Sequence, residues 1–483
     1  MINLKKPNIL LINPSKGFYK KSVDQELNVK HLNFGILSIA SKFPNNIFIY
    51  DCQNANHDTV YREISELIVL NKISIIGISL ISAYSEESAF RIANEIHNKF
   101  NNVEIIYGGK DHAPYIAESL IEHHHAKAVI KYDGEFFFQQ IVEYGFQIQD
   151  CSSIIYKDDT GKIVESKDET SPISLSTYNH ALYPNYLDYV PSIEVSRGCN
   201  KSCLFCTNNK TKQTKKRIEV IIHEIKQIKK LYGEKTCAYF QTPHFLFSNK
   251  DLIKLSNSRS KNDQFVWRTQ TSVQYLTSKR IELLYNAGAR VIDVGFESAS
   301  PLILFRMGKT AKSDEYLATM RKALDVAAKV GLRLKLNILL FAGETQDSLA
   351  QTALFLKENL HSFHSFSAYP VMVYPGPNRD IFMSKIESEF GGSVVNVSES
   401  DSIYSVNLSS TINHQKANKI ALLLGKSFQS KEMYLSQRRI GYLQHNHSLN
   451  FNELNNERLP FYASNLERLK AQTELADILE RSV

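Results

Sequence analysis

The chain has 483 residues, 43% of them hydrophobic and 22% charged, with a formal net charge of +7. This composition excludes a disordered or fibrous protein, and the length exceeds one ordinary core, so two or three domains are expected. No apolar run reaches the roughly 18 residues that cross a bilayer, and the opening Met1–Pro7 lacks a signal-type apolar region, so a cytoplasmic protein without membrane contact is expected.

The first 150 residues alternate short apolar runs with helical patterns. Strands are expected at Asn8–Asn13, Ile47–Asp51, Ile73–Ser79, Val103–Tyr107 and Ala128–Ile130, with helices at Gly35–Ser41, Val60–Leu70, Ala89–Phe100 and beyond Glu135. Continuous apolar strands between helices imply a parallel, doubly wound, Rossmann-like α/β sheet. Ligands of such sheets lie beyond the carboxyl ends of the strands. Asn13, Ser79, Gly108, Gly109 and Glu135 all stand at those ends, and Gly77 lies just before one.

Residues 151–190 change texture. A hairpin around Asp158-Asp159-Thr160-Gly161 leads into a polar, proline-bearing linker. Strand–helix alternation resumes over 191–384, with strands expected at Ile193–Ser196, Cys237–Phe240, Phe265–Arg268, Val291–Gly295, Arg333–Phe341 and Phe366–Val373. Six βα units fit an open, partial (β/α)6 barrel better than a closed eightfold one. The last stretch, 385–483, carries helical patterns at Gln415–Phe428 and Asn465–Leu479 and is expected to be mainly helical and to shape the substrate site.

Charge is unevenly spread. Residues 1–150 carry 14 Lys+Arg against 17 Asp+Glu, a net of −3, and 151–190 carry 3 against 6, again −3. Residues 191–384 carry 29 against 16, a net of +13, including Lys210, Lys212, Lys215, Lys216 and Arg217; 385–483 balance at 11 and 11. Such a field can gather an anionic small-molecule substrate, although a solvated basic face is the plainer reading. Without a module carrying aromatic base platforms, nucleic acid is not an expected partner.

Three of the six cysteines, Cys199, Cys203 and Cys206, share one loop after a strand, while Cys52, Cys151 and Cys237 are scattered. That pattern is no disulfide framework. Thiolates suit zinc or iron–sulfur clusters, and a structural zinc wants a fourth close ligand, which is missing here. Three protein ligands on a four-iron cluster leave one iron open to a small molecule.

The Cys-x-x-x-Cys-x-x-Cys spacing, with Phe205 before the last cysteine, resembles the signature of the radical S-adenosylmethionine superfamily. Val291–Ser298, ending in Glu297-Ser298, is similar to that superfamily's fourth strand; Gly343-Glu344-Thr345 resembles the turn after its fifth, and Tyr374-Pro375-Gly376 the end of its sixth. The resemblance implies a [4Fe-4S] cluster on Cys199, Cys203 and Cys206, with S-adenosylmethionine chelating its open iron. It further implies contacts to S-adenosylmethionine from Phe205, Glu297, Ser298 and Asn337, with Gln241 as a weaker candidate. One electron, from a donor such as flavodoxin or ferredoxin, would cleave the sulfonium and give a 5′-deoxyadenosyl radical.

The N-terminal order of strand, Gly77-Ile78-Ser79, Gly108-Gly109-Lys110-Asp111-His112 and Asp133-Gly134-Glu135 resembles the cobalamin-binding domain that precedes many such enzymes. Cobalamin would then meet Asn13, Gly77, Ser79, Gly108, Gly109 and Glu135. Between Asn13 and His31 there is no Asp-x-His-x-x-Gly sequence, so a histidine on the lower face of cobalt is not expected. The implied activity is methyl transfer to an unactivated carbon. A radical oxidation, ring contraction or rearrangement with cobalamin, and a sensor without turnover, are the rival outcomes. His123-His124-His125 reads as a helix-end surface cluster.

Overall fold

The computed structural model describes residues 6–15, 30–53, 55, 59–169, 175–396, 402–439 and 459–480, and divides into two compact units, 1–189 and 190–483. In the first unit, β1 (Asn8–Asn13), β2 (Ile47–Asp51), β3 (Ile73–Ser79), β4 (Glu104–Gly108) and β5 (Ala128–Ile130) pair in parallel in the order β2-β1-β3-β4-β5. Successive side chains of a strand point to opposite faces, so strands covered on both sides must be apolar throughout. Ile9, Leu11, Ile75 and Ile106 pack with α1 (Phe34–Lys42) and α5 (Gly134–Tyr144). Leu10, Ile12, Ile76, Ile78 and Ile105 pack on the other face with α2 (Val60–Leu70), α3 (Glu86–Lys99) and α4 (Ala117–His123). The strand order reverses between β1 and β3, which makes their carboxyl ends the switch point where such sheets bind ligands.

Residues 151–189, read as a separate hairpin and linker, belong to this unit. Strands β6 (Ile154–Lys157) and β7 (Ile163–Glu165) extend the sheet antiparallel beyond β5. An uncovered β5 would be an open edge, and the hairpin pairs it. Tyr178, Tyr183 and Tyr189 then enter the core of the sheet's α1–α5 face.

The second unit is built on six parallel strands in the order β15-β14-β13-β12-β11-β8: β8 (Ser192–Glu194), β11 (Cys237–Gln241), β12 (Val266–Ser272), β13 (Ala289–Glu297), β14 (Arg333–Leu340) and β15 (Ser365–Pro370). One parity is apolar (Phe240, Trp267, Ile292, Val294, Leu334, Leu336, Phe366) and packs with the helices. The opposite parity is polar. Arg268 grips Asp293 with two bonds of 2.6 Å, Lys335 lies 3.4 Å from Asp293 and donates to Asn337 at 2.7 Å, and Ser367 donates to Asn337 at 3.2 Å. A polar inner face marks a barrel that encloses chemistry rather than a packed core.

The C-terminal stretch shares this unit and its core, through Ile420, Leu424, Phe428 and Leu475. It is not only helical: β17 (Ser393–Val395) and β18 (Tyr404–Asn407) form a small antiparallel sheet with β16 (Met372–Val373). That sheet hangs from the carboxyl ends of the barrel strands, where Val371 N–H donates to Leu340 O and Gly343 N–H to Leu408 O. Helix α14 (Lys431–Arg439), which follows α13 (His414–Phe428), sits at the opposite end. Arg268, near the start of β12, donates to Gln437 O at 3.0 Å, and Arg333, the first residue of β14, reaches Ser436 at 3.5 Å. So α14 closes the amino-terminal mouth, and of these elements only the small sheet borders the carboxyl-end mouth. Among the described residues no helix is long and apolar enough to cross a membrane.

Candidate active site

The cysteine loop connects β9 (Ser196–Arg197) to β10 (Thr214–Lys215), two short strands that pair antiparallel and close its base. Gly198 opens it with a φ of +74°, and a Cβ there would come 2.2 Å from Lys212 O, so only glycine lets the two limbs meet. Inside, Cys199 N–H donates to Thr211 Oγ1 at 2.9 Å, Cys206 N–H to Cys203 O at 3.2 Å and Lys210 N–H to Lys201 O at 2.8 Å. Leu204 N–H donates to Met307 O at 3.0 Å, tying the loop to the turn after α9 (Pro301–Arg306).

Burial pushes the Cys203 thiol up and the Cys206 thiol up to about 11; Cys199 adds to both, and Lys309 opposes. Thiols held protonated in this way ionise when a metal takes the place of the proton. Among the described residues no group of three or more His, Cys, Asp or Glu side chains is placed to hold a single metal ion. A mononuclear zinc at about 2.3 Å from each sulfur needs its thiolates crowded together, whereas a four-iron cluster takes each thiolate on a different iron. Three cysteines on one loop, two of them partly exposed, offer the soft sulfur donors that an iron–sulfur cluster takes.

Facing the loop is an acid–base pair that sequence reading found only in half. Glu297, at the end of β13, takes a φ of +67° and pairs with Lys309 at 2.9 Å; their side chains are 12% and 10% exposed. Gly295 leaves room for this, since a Cβ would stand 2.9 Å from both Glu297 Oε1 and Lys309 Nζ. Burial works against the charge on Lys309, yet Glu297, Tyr316 and Cys203 raise its pKa. The Tyr316 hydroxyl donates to the Gly295 and Phe296 carbonyls. Lys309 was invisible in the sequence because its partner lies across a strand end; a lysine after the left-handed Gly308 was the available signal.

His244 was missed as well. It is buried in the turn after β11, with Nδ1 4.0 Å from Cys199 Sγ and Nε2 2.9 Å from Ser272 Oγ. Burial, then Lys201 and Lys309, pull its pKa down to about 4, so the ring is neutral.

Other expected contacts are placed differently. Ser298 is buried with its hydroxyl on Thr352 and on Ser300 N–H, where it braces the start of α9 instead of facing the loop. Asn337 is mid-strand, inside the polar ladder with Lys335 and Ser367, not at a strand end. Gln241 does end β11 and is exposed, and Phe205 packs edge-on to Phe341 at 6.1 Å. Lys216 does not belong to the basic face: it is fully buried against Glu224 at 2.6 Å, while Lys210, Lys212, Lys215 and Arg217 are exposed.

In the first unit the switch point is bridged by Asn33, the N-cap of α1, whose Nδ2 donates to Asn13 Oδ1 at 3.0 Å and to Ser79 Oγ at 2.9 Å. Asn13 Nδ2 donates to Asp51 at 3.0 Å, and the Tyr183 hydroxyl donates to the same carboxylate. Asn33, Asp51 and Tyr183 were not anticipated. Gly77 is mid-strand, and a Cβ there would strike Leu11 and Phe138 at 2.6 and 2.9 Å, so its smallness serves helix packing. Gly109 has a φ of +122° with a Cβ position 2.1 Å from Leu80 O, so it shapes its own loop. Gly108 ends β4, and Glu135 is buried in the first turn of α5, accepting from Ser38. His112 is buried, with its Nε2 2.6 Å from Glu86 Oε1. Of the histidine run, His123 is exposed and His124 stacks on Phe90 at 3.6 Å.

Residues 193–356 match the family described as the radical SAM superfamily. The uncharacterized methyltransferase PH0819 of Pyrococcus horikoshii is 25% identical over 340 residues, 66% of this chain and 71% of that protein. Among solved structures, the cobalamin-dependent S-adenosylmethionine radical enzyme OxsB with aqua-cobalamin bound superposes with a TM-score of 0.70 at 15% identity, over 98% of this chain and 79% of that one. OxsB with S-adenosylmethionine also bound gives 0.63 at 18% identity, and there the chain spans 79% of itself but only 55% of OxsB. The radical S-adenosylmethionine methyltransferase TsrM of Kitasatospora setae gives 0.65 at 14% identity, over 82% and 81% of the two chains. At such identities the solved structures speak for the fold, a doubly wound unit followed by a partial barrel. The family match lies over the barrel and its cysteine loop, and it identifies residues 193–356 as a radical SAM domain.

Proposed function

We propose that this enzyme methylates an unactivated carbon of a small molecule, using a [4Fe-4S] cluster on Cys199, Cys203 and Cys206, S-adenosylmethionine, and cobalamin in the first unit. The observation that carries the reading is the cysteine loop set against the Glu297–Lys309 pair. The amino-acid end of S-adenosylmethionine is a zwitterion, and a carboxylate beside a buried ammonium offers one partner to each of its charges. Bound together, cluster and S-adenosylmethionine supply a carbon radical, and cobalamin supplies a methyl group.

The chain's own residues position and shield. Phe205 and Phe341 give an apolar wall beside the loop, suited to an adenine face. The small sheet of β16, β17 and β18 borders the carboxyl-end mouth and limits water entry, which radical chemistry requires. In the first unit, Ser79 at the switch point and Gly108 at the end of the neighbouring β4 present little side chain, as a bulky planar ligand requires. With no Asp-x-His-x-x-Gly sequence between Asn13 and His31, the reading is of a corrinoid without a histidine from the first strand–helix loop on its lower face.

The test is anaerobic purification with cobalamin supplied, then iron and cobalt counts, a visible spectrum, and product analysis with candidate substrates. Methyl transfer yields a product heavier by one CH₂ together with S-adenosylhomocysteine. 5′-Deoxyadenosine with an unmethylated product would replace methyl transfer by oxidation or rearrangement, and the absence of both would refute the enzyme reading.

A further inference from the structure

His244 is fixed on four sides. Its N–H donates to Thr242 Oγ1 at 3.1 Å, its carbonyl accepts from Gln213 Nε2 at 2.7 Å, its Nε2 meets Ser272 Oγ at 2.9 Å, and its Nδ1 faces Cys199 Sγ at 4.0 Å. Gln213 lies on the far limb of the cysteine loop and Ser272 ends β12, so loop, barrel strand and imidazole are locked as one piece. The partner of one imidazole nitrogen decides the role of the other. A serine hydroxyl can donate to Nε2, which leaves the proton on Nδ1, the nitrogen that faces sulfur.

We propose that His244 is a positioning residue for the cluster: its Nδ1–H donates to the Cys199 thiolate, with Ser272 setting the tautomer, and so raises the reduction potential of the cluster. The inference rests on the proposed cluster at Cys199. Hydrogen bonds to cluster sulfurs favour the more negative, reduced state, because that state places more charge on sulfur. No other histidine or backbone donor to Cys199 Sγ is found among the described residues.

The experiment is an EPR-monitored redox titration of the full-length, anaerobically reconstituted protein. His244→Leu should lower the midpoint potential by about 59 mV, a tenfold shift in the one-electron equilibrium. His244→Asn, whose amide N–H falls near the place of Nδ1, should recover most of that loss, and Ser272→Ala should shift the potential in the same direction by less. Wild-type potential in a His244→Leu protein with full iron content overturns the inference. If His244→Leu holds no iron, Ser272→Ala decides, since its hydroxyl bonds only the imidazole among the described residues; an unshifted potential there overturns it too. Wild-type protein that takes up no iron refutes the proposed function itself and this inference with it, an outcome distinct from a loaded cluster of unchanged potential.

Discussion

Lys216 sits in the run of cations after the cysteine loop, yet it cannot act on solvent. Its ammonium and the Glu224 carboxylate are 2.6 Å apart and both fully buried, Glu224 being on α6 (Ile218–Tyr232). At an effective dielectric near 20, two unit charges at that distance attract by about 6 kcal/mol. Burial takes back much of this, consistent with a Lys216 pKa pulled below its usual value despite Glu224. The pair is therefore close to neutral for stability, but removing one member takes from the other buried charge its partner at 2.6 Å, at a cost of about 3–5 kcal/mol. Lys216→Gln should lower the melting temperature of the second unit by about 6–20 °C, nearer the lower figure for so large a unit. Lys210, Lys212, Lys215 and Arg217 changed together to Gln should cost no more than about 2 kcal/mol, as surface substitutions do. The assay is thermal denaturation of cluster-free protein by circular dichroism, with Lys216→Met/Glu224→Leu as the repair. A Lys216→Gln protein that melts with the four-site variant would refute the reasoning.

Replacing Cys199, Cys203 or Cys206 by Ala should abolish iron binding and S-adenosylmethionine cleavage, measured by iron count and 5′-deoxyadenosine release, while Cys151→Ala and Cys237→Ala should leave both intact. Ser79→Leu should cut cobalamin retention on gel filtration by more than tenfold with iron content unchanged, since it fills the switch point. Gly109→Ala should instead destabilise the first unit, because its Cβ would meet the Leu80 carbonyl oxygen at 2.1 Å and no side chain can yield there. Glu344 is buried with its pKa raised by desolvation to about 7, so the fold holds its proton more tightly than the unfolded chain does. Its contribution is full below about pH 4.5 and is lost as pH rises to 7, about 3 kcal/mol in all. Glu344→Gln should flatten the fall in melting temperature over that window.

The frame of both units was legible because continuous apolar strands between amphipathic helices leave few alternatives. The edges were less so. The hairpin at Ile154–Glu165 is legible as a hairpin, but nothing local says that its first strand, β6, pairs with β5. Strand pairing is a long-range choice, governed by which edge lacks a partner. The cysteine loop was legible for the opposite reason: its three ligands lie within one loop, so their spacing is their geometry.

Contacts between distant segments were not legible, and these decide what the site does. Glu297 could be named from the strand that bears it, but Lys309 could not, since the pairing needs Gly295, the left-handed Gly308 and the turn after α9 together. Asn337 shows the same limit from the other side. It lies in the middle of β14, where Lys335 two residues earlier and Ser367 on β15 both hold its amide oxygen. An asparagine so engaged has only its amide N–H groups left to offer, and it presents them inside the barrel, a layer below Glu297. The polar groups of the barrel are thereby divided by depth. The pair Glu297–Lys309 stands at the rim with the cysteine loop. Arg268, Asp293, Lys335 and Asn337 form a floor closed from beneath by Gln437 of α14. A substrate entering at the carboxyl-end mouth would meet the rim first, so changes at Lys309 should act on S-adenosylmethionine binding, and changes at Arg268 on the stability of the barrel.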